Sequence, residues 1–375
     1  MLRESSFSKH WPIVPLSEAV VFLDNLRKPI TASERVEGEY AYYGANGLQG
    51  TVNDYIFSEP LVLLAEDGGH FGNPDRDIAY IADGKYWVNN HAHVLKPREN
   101  VDLHFLYRVL QRYDVSPFIK GATRAKLTKG DASRIPFPIP PLKEQKRIAA
   151  ILEKTDNLRR KRQQAIQLAD EFLRAVFLDM FGDPVTNPKG WDVYRMGDVI
   201  NFKGGSQPPK DTFSYEPREG YVRLVQIRDF KSDRYLTYIP EKLAKRQFGK
   251  DDVMIARYGP PVFQILRGLS GSYNVALMKA EPKGEILKDF IFHLLQIPAY
   301  HDRVVAISGR TAGQTGVNLD LLNSFDLPLP PVSVQREICD CLISMENTLN
   351  SMNAHCVEAG ALFNSLSQKA FSGKL

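Results

Sequence analysis

Cysteine is scarce in this chain of 375 residues: the three present, Cys339, Cys341 and Cys356, all lie near the C-terminus. Their spacing suits a helix and matches no zinc pattern, so a disulfide scaffold is excluded and buried free thiols are expected. Long hydrophobic runs are missing too. No stretch approaches the roughly 18 uninterrupted apolar residues of a membrane span, and the opening Met1 to Trp11 lacks the apolar run of a secretory signal. A cytoplasmic location without membrane association is the expectation. Neither sign of charge dominates, with 48 basic against 44 acidic residues and a formal net charge of +4, which by itself argues for no nucleic-acid or membrane partner. No Gly-rich turn after a strand suggests an adenosylmethionine site, and no phosphate-cradling lysine loop is present. What is there is an ordinary soluble composition, 43% hydrophobic and 25% charged, in a chain about twice the commonest domain length.

That length is explained by a repeat. Pro138 to Ile148 matches Pro328 to Ile338 at an offset of 190, and at the same offset Phe181 falls on Phe371. Trp11 aligns with Trp191 at an offset of 180, and Phe105 with Phe290 at 185. Collinear matches with slowly drifting offsets are the mark of a duplicated unit with small loop insertions. In each copy a first part, 1–140 or 186–330, carries short β-rich runs broken by turn residues. Leu61 to Ala65, Ile78 to Ala82, Tyr86 to Val88 and Val253 to Ala256 are examples, with helices predicted near 102–113 and 288–300.

The second parts, 141–181 and 331–375, can each hold one long helix. In the later copy Ile338, Leu342, Met345, Leu349, Met352, Cys356, Ala359, Phe363, Leu366 and Ala370 alternate by four and three, as in a coiled-coil seam. The earlier copy repeats the seam from Ile148 to Met180, interrupted by Arg159 and Arg162. Pairing of the two helices is favoured by their equal length and register; two separate amphipathic helices, each on its own globule, is the alternative. Paired under a two-fold axis, they would be antiparallel, with one globule at each end. A helix over 143–180 would span up to ~57 Å, the rise of about 17 base pairs. The expected fold is therefore α+β: two mixed, strand-rich domains joined by two long antiparallel helices, with internal pseudo-two-fold symmetry.

These residues carry a family likeness. The Pro-Pro-Leu-x-Glu-Gln-x-x-Ile opening at 140–148, its weaker copy at 330–338, and the helices that follow resemble the specificity subunit of type I restriction–modification systems. Tyr42 to Gly50, Leu63 to Gly69, Trp87 to His93 and Gly121 to Leu127 look like the globular domains of the same family. The resemblance implies two target recognition domains, 1–140 and 186–330, each reading one half of a bipartite asymmetric site in double-stranded DNA. The helices within 141–181 and 331–375 would be spacers that act as a ruler. It also implies two methyltransferase subunits and restriction/translocase subunits as partners, with adenosylmethionine, ATP and Mg in those partners and neither catalysis, cofactor nor metal in this chain. Val334 stands where the first copy has Glu144, and the globules share little local sequence.

Enzyme motifs are weak by comparison. Tyr258 to Phe263 approaches an amino-methyltransferase motif, but Gly259 offers no side-chain acceptor. Asp75, Asp83 and Lys85 fit the loose pattern of a Mg-dependent nuclease, the rival function, whereas Asp83-Gly84 reads equally as a hairpin turn. His91 and His93 share one side of a strand without a third ligand. A coiled-coil interaction protein with no DNA role is the other rival.

DNA contact calls for long cationic and amide side chains on loops. In the first copy these are Tyr43, Asn46 and Gln49, then Asn89, Asn90 and His91, then Arg124, Lys126 and Lys129. In the second they are Lys203, Ser206, Gln207 and Lys210, then Arg223, Gln226 and Arg228, then Arg257, Tyr258, Arg310 and Gln314. Residues 182–330 hold 20 basic and 17 acidic side chains against 16 and 17 in 1–140, so the second globule is the more basic. Arg159 to Arg162 form either a patch facing phosphate or methyltransferase, or a solvated helix face.

Overall fold

A computed structural model describes residues 1–31, 33–120, 125–259, 261–308 and 316–375. It divides into two units, Met1–Gln163 with Ala354–Leu375, and Gln164–Asn353.

In the first unit strands β1 (Ile13–Pro15), β2 (Val20–Phe22), β3 (Tyr40–Gly44), β4 (Gly47–Val52), β5 (Leu61–Ala65), β6 (Ala79–Ala82), β7 (Tyr86–Val88), β8 (Ala92–Pro97) and β9 (Pro136–Pro138) accompany helices α1 (Leu16–Ala19), α2 (Leu103–Leu110) and α3 (Lys129–Ala132). One sheet has the order β2-β8-β5-β6, a second β4-β3-β7, and β1 pairs with β9. β5 is apolar at every position because both its faces are covered. Val62 and Leu64 join Phe105, Leu106 and Val109 of α2 in one core, while Leu61 and Leu63 pack with Tyr86 and Val88 of the second sheet. The turn expected at Asp83-Gly84 exists, with Gly84 at φ 77°, but the hairpin does not. β6 pairs antiparallel with β5, and β7 runs parallel to β3 in the other sheet, so the turn hands the chain from one sheet to the next.

The long helix α4 (Leu142–Phe181) opens in the first unit and ends in the second, where β10 (Asp192–Arg195), α5 (Met196–Val199), β11 (Ile200–Gly204), β12 (Tyr221–Val225), β13 (Tyr238–Pro240), β14 (Gln247–Phe248), β15 (Val253–Ala256), β16 (Ile265–Leu266), β17 (Gly271–Tyr273) and β18 (Leu277–Pro282) follow. Helices α6 (Lys288–Leu294), α7 (Pro298–Ser308) and α8 (Leu319–Asn323), strand β19 (Asp326–Leu329) and helix α9 (Val332–Phe371) complete the chain. The helix expected over 288–300 is thus two helices, interrupted before Pro298 as its missing N–H requires. Here the sheets are β11-β18-β15-β16 and β13-β12-β17-β14, with β10 on β19. The plan is that of the first unit: β15 sends Val253 and Ile255 toward Phe290 and Ile291 of α6 and Met254 toward Tyr273 and Val225.

The Pro-Pro-x-x-x-Gln motif has a definite task in both copies. Gln145 is fully buried, accepts the Asp102 N–H at 2.9 Å, and donates to the carbonyls of Asn100 and Pro140 at 2.9 and 2.8 Å. Gln335 accepts the Leu287 N–H at 2.9 Å and donates to Glu285 and Pro330, both at 2.9 Å. Each amide satisfies three backbone groups, of which the proline carbonyl lies in a fully buried bond, and so ties the approach to α2 or α6 to the start of a long helix.

Within each unit the start of one long helix meets the end of the other. In the first, Ile148, Ala149 and Leu152 share a core with Phe363, Ala370 and Phe371. Arg147 reaches the Leu375 carbonyl at 3.4 Å and Arg162 that of His355 at 3.2 Å, so the two helices run antiparallel. In the second, Leu173, Phe177 and Phe181 join Ile338, Cys339 and Leu342. Phe371 packs on Phe105 and Phe181 on Phe290, with ring centroids 6.0 and 5.4 Å apart. The two arginines in the seam are absorbed locally: Arg159 lies over the Phe363 ring and holds Asp156 at 2.8 Å. Of the three thiols only Cys339 is buried, and burial pushes it up to about 12.

Charged groups sit under both junctions. Asp156, 1% exposed, receives Arg108 at 3.0 Å, together with Arg159 and Arg160. Burial alone would raise this carboxyl, but the three guanidiniums outweigh it and hold the acid below its ordinary range. In the second unit His293 stands on α6 with its Nε2 buried, 3.6 Å from Glu346 Oε1 and without a hydrogen-bond partner among the described residues, and burial, helped by nearby Arg267, lowers it to about 4. Arg267 bonds Asp289 at 3.1 Å and also pairs with Glu346, which burial raises.

Candidate functional site

The first unit gathers its polar side chains at one cleft of about 450 Å³ between the β3–β4 turn and the turn after β7. Asn46, Gln49, Asn89, Asn90 and His91 all line it. Asn89 donates to Gln49 Oε1 at 3.2 Å, and its own Oδ1 accepts the His91 N–H at 2.8 Å. Gly44 leaves them room, since a Cβ there would lie 2.3 Å from the Gln49 amide and 2.9 Å from that of Asn89 and would push both amides from their present places. Asn46 is fastened by donation to the Gly68 carbonyl at 2.9 Å, and His91 Nδ1 meets Asp67 at 2.6 Å. Tyr43, packed between Tyr80 and Tyr86, supports the turn from behind. Lys126 and Lys129 lie apart, the first on Glu66 at 3.2 Å, the second over the Phe22 ring.

Beside the cleft is a brace that sequence reasoning missed. His93 is fully buried, donates Nε2–H to the Leu127 carbonyl at 2.8 Å, and faces Asp24 through Nδ1 at 2.7 Å. Asp24, Glu66 and His93 stand close enough to hold a metal ion, but Arg27 already lies on Glu66 at 2.7 Å and on Asp24 at 3.5 Å. The guanidinium neutralises both acids, so the group is an ion-paired clamp on β2, β5 and β8. His93, Val94 N–H and Arg27 more than cancel the upward pull of burial on Asp24, which stays below its ordinary range.

The same framework position looks different in the second unit. The N–H of Glu66 goes to His91 O and its carbonyl accepts Leu127 N–H; Arg257 makes the corresponding bonds to Ala276 and Val317. An ion-paired acid in one copy is thus a cation in the other. The Arg257 guanidinium lies 5.2 Å from the Tyr258 ring centroid, with Nε buried and without a hydrogen-bond partner among the described residues. Lys203 and Ser206 belong to the same neighbourhood: Tyr273 donates to the Lys203 carbonyl at 3.2 Å, and Ser206 N–H to the Tyr273 carbonyl at 3.1 Å. A Cβ on Gly204 would stand 3.9 Å from the Arg257 side chain. Arg223, Gln226 and Arg228 form a second group around the Ile227–Phe230 turn, with Arg223 on Asp233 at 2.9 Å and Gln226 donating to Thr237 at 3.3 Å. Asp229 beneath them has Oδ1 without a hydrogen-bond partner among the described residues, 3.9 Å from Arg228 Nε, and burial raises it. Gln207 and Lys210 are exposed nearer the Lys210–Thr212 turn. Arg124, Arg310 and Gln314 lie outside the described residues. Two further residues line the first cleft: Arg35, which stands in no motif, and Tyr42, which opens the Tyr42 to Gly50 stretch but is not one of the candidate contacts expected there.

Such a pair of frameworks, alike in strand order and unlike in loop chemistry, defines a duplicated recognition protein, and comparison supplies the family. The model for the type I restriction modification DNA specificity domain matches residues 9–168 and again 188–356. The chain belongs to that family. It is 29% identical over 353 residues to a putative type I restriction enzyme specificity subunit of Haemophilus influenzae, covering 90% of this chain and 88% of that one. It is 21% identical over 381 residues to the type I restriction enzyme MjaVIII specificity subunit of Methanocaldococcus jannaschii, with 90% and 87% covered. In fold it is similar to the type I restriction–modification S subunit from M. genitalium, with a TM-score of 0.61, 15% identity and 96% of both chains covered.

The chain is therefore a DNA-recognition subunit of a type I restriction–modification system and carries no catalysis of its own. The nuclease alternative finds no support: the Lys85 ammonium lies 4.8 Å from the Tyr55 ring centroid, and Asp75 and Asp83 join no ligand cluster among the described residues. No helix among them is long and apolar enough to cross a membrane.

Proposed function

We propose that the chain reads a bipartite, asymmetric DNA site in the cytoplasm, with one half read by residues 1–140 and the other by 186–330. The helices within 141–181 and 331–375 set the spacer and offer equivalent seats to two methyltransferase subunits; the restriction subunits join that complex. The observation that carries this reading is the contrast between identical anchors and divergent rims. Gln145 and Gln335 make the same three bonds in the two copies, whereas equivalent strand ends bear Glu66 and Arg257. Equivalent frames suit like partners, and unlike rims suit unlike half-sites.

Amides of the first cleft suit adenine edges, and the cations Lys203, Arg223, Arg228 and Arg257 suit guanine or phosphate in the second half. Tyr43, Ser206 and Tyr258 position them, while Lys126, Lys129, Gln207 and Lys210 are the outer phosphate contacts. Adenosylmethionine, ATP and Mg belong to the partner subunits. The test is co-expression with the cognate methyltransferase followed by single-molecule mapping of methylated bases. A two-part motif with a fixed spacer is expected, and a single continuous motif would contradict the reading.

A further inference from the structure

Arg35 reaches the first cleft on a segment pinned from several sides. Arg27 donates to the Ala92 carbonyl at 2.7 Å, Trp87 Nε1 to that of Lys28 at 2.6 Å, Tyr42 OH to that of Ile30 at 3.4 Å, and Asn53 N–H to that of Val36 at 3.1 Å. Gly38 lets the segment press onto β4, because a Cβ there would lie 2.4 Å from Asn53 Cα. Delivered this way, the Arg35 guanidinium sits 4.1 Å from the centroid of the Tyr42 ring, itself 2% exposed. Its Nε is buried without a partner among the described residues. Arg27, Arg108 and Arg112 in the same unit are instead answered by Glu66, Asp156 and Asp77. A guanidinium stacked on an aromatic face keeps its plane fixed while its N–H edge stays free.

The surroundings say what that edge is for. A phosphate site collects cations, but beside Arg35 the described walls here are the amides of Asn46, Gln49, Asn89 and Asn90, with Asp67 and His91 already engaged with each other. Amides carry no charge to hold a phosphate and match the donors and acceptors of a base edge. We infer that Arg35 reads a guanine, giving two N–H groups to O6 and N7 in the major groove, with the Gln49–Asn89 amide pair beside it for the neighbouring base. This deepens the two-part reading above and rests on it.

Methylation mapping of the co-expressed complex, wild type against Arg35→Lys, tests it. Lysine keeps a cation over Tyr42 but cannot make the fork. The wild-type motif should contain a G·C pair in one half, and R35K should relax the preference at that position by about 10- to 100-fold, leaving the other half unchanged. On synthetic duplexes, 7-deazaguanine at that position should weaken wild-type binding by a similar factor, which decides the matter even if R35K is inactive. An unchanged R35K motif, a uniform loss across sequences as for a phosphate contact, or no guanine sensitive to the 7-deaza change would overturn the assignment. Failure of the wild-type complex to deposit any two-part motif would instead sink the reading beneath it.

Discussion

The two units solve one packing problem with different chemistry. Arg108 stands three residues after Phe105 and His293 three after Phe290; Asp156 stands eight after Ile148 and Glu346 eight after Ile338. In the first unit the helix α2 itself supplies the cation, and the pair is buried on both sides. In the second that helix carries a neutral histidine, and the cation arrives from Arg267, just after β16. What duplication has kept is the acid on the long helix and the aromatic floor, whereas the partner of the acid has changed element. A buried ion pair specifies position only when both members remain, so the junctions should fail under different insults.

Removing the acid should separate them most. Asp156→Ala leaves Arg108 buried beside an empty site and should cost about 3–5 kcal/mol, whereas Glu346→Ala leaves Arg267 with Asp289 and a quarter exposed, for a loss of about 1 kcal/mol. Hydrogen-exchange protection of amides in β5 and β15 reads the units separately; equal losses would contradict the comparison.

Acid should act next, and on the second unit first. The folded pKa of His293, about 4, lies below its ordinary 6.5, so the folded chain binds fewer protons there. The stability this confers is complete above pH 6.5 and is lost as pH falls through 4, by about 3 kcal/mol in all. Glu346, raised by burial, takes up a proton more readily when folded and offsets part of that loss. In the first unit Asp156 is held low and stays ionised over that range. His293→Phe should flatten the pH dependence of protection in β15 and leave β5 untouched; a slope unchanged by the substitution would exclude the histidine as its source.

The smallest expected effect is the one that should not distinguish the units. Gln145→Ala and Gln335→Ala each strand one carbonyl of a fully buried bond and leave two part-buried backbone groups to water, at a cost of about 1–3 kcal/mol, and thermal unfolding should show matched losses. A large loss in one alone would mean that the two anchors are not equivalent.

These contrasts also show what a sequence can reveal. The duplication, the long helices and the strand-rich domains were legible because apolar periodicity and Pro-Pro punctuation are local signals. The cleft amides Asn46, Gln49, Asn89 and Asn90, with the His91 imidazole, were legible as Gly- and Asn-rich turns. Arg35 was not, since its role comes from Tyr42 and a segment folded back onto β4. Nor was the clamp of Asp24, Glu66 and His93, whose members come from three parts of the chain. The β6–β7 hairpin failed because a turn signal fixes where the chain bends but not which strand each arm will pair with. Arg159 to Arg162 read either as a patch facing phosphate or methyltransferase or as a solvated helix face, yet Arg159 and Arg160 serve the buried Asp156 and Arg162 a carbonyl of α9.

The central claim is that two copies of one frame read DNA independently. It is tested most directly by replacing residues 186–330 with the matching domain of another specificity subunit and mapping methylation by the chimeric complex. One half of the motif should change while the other half and the spacer persist. A change in both halves, or in neither, would contradict it.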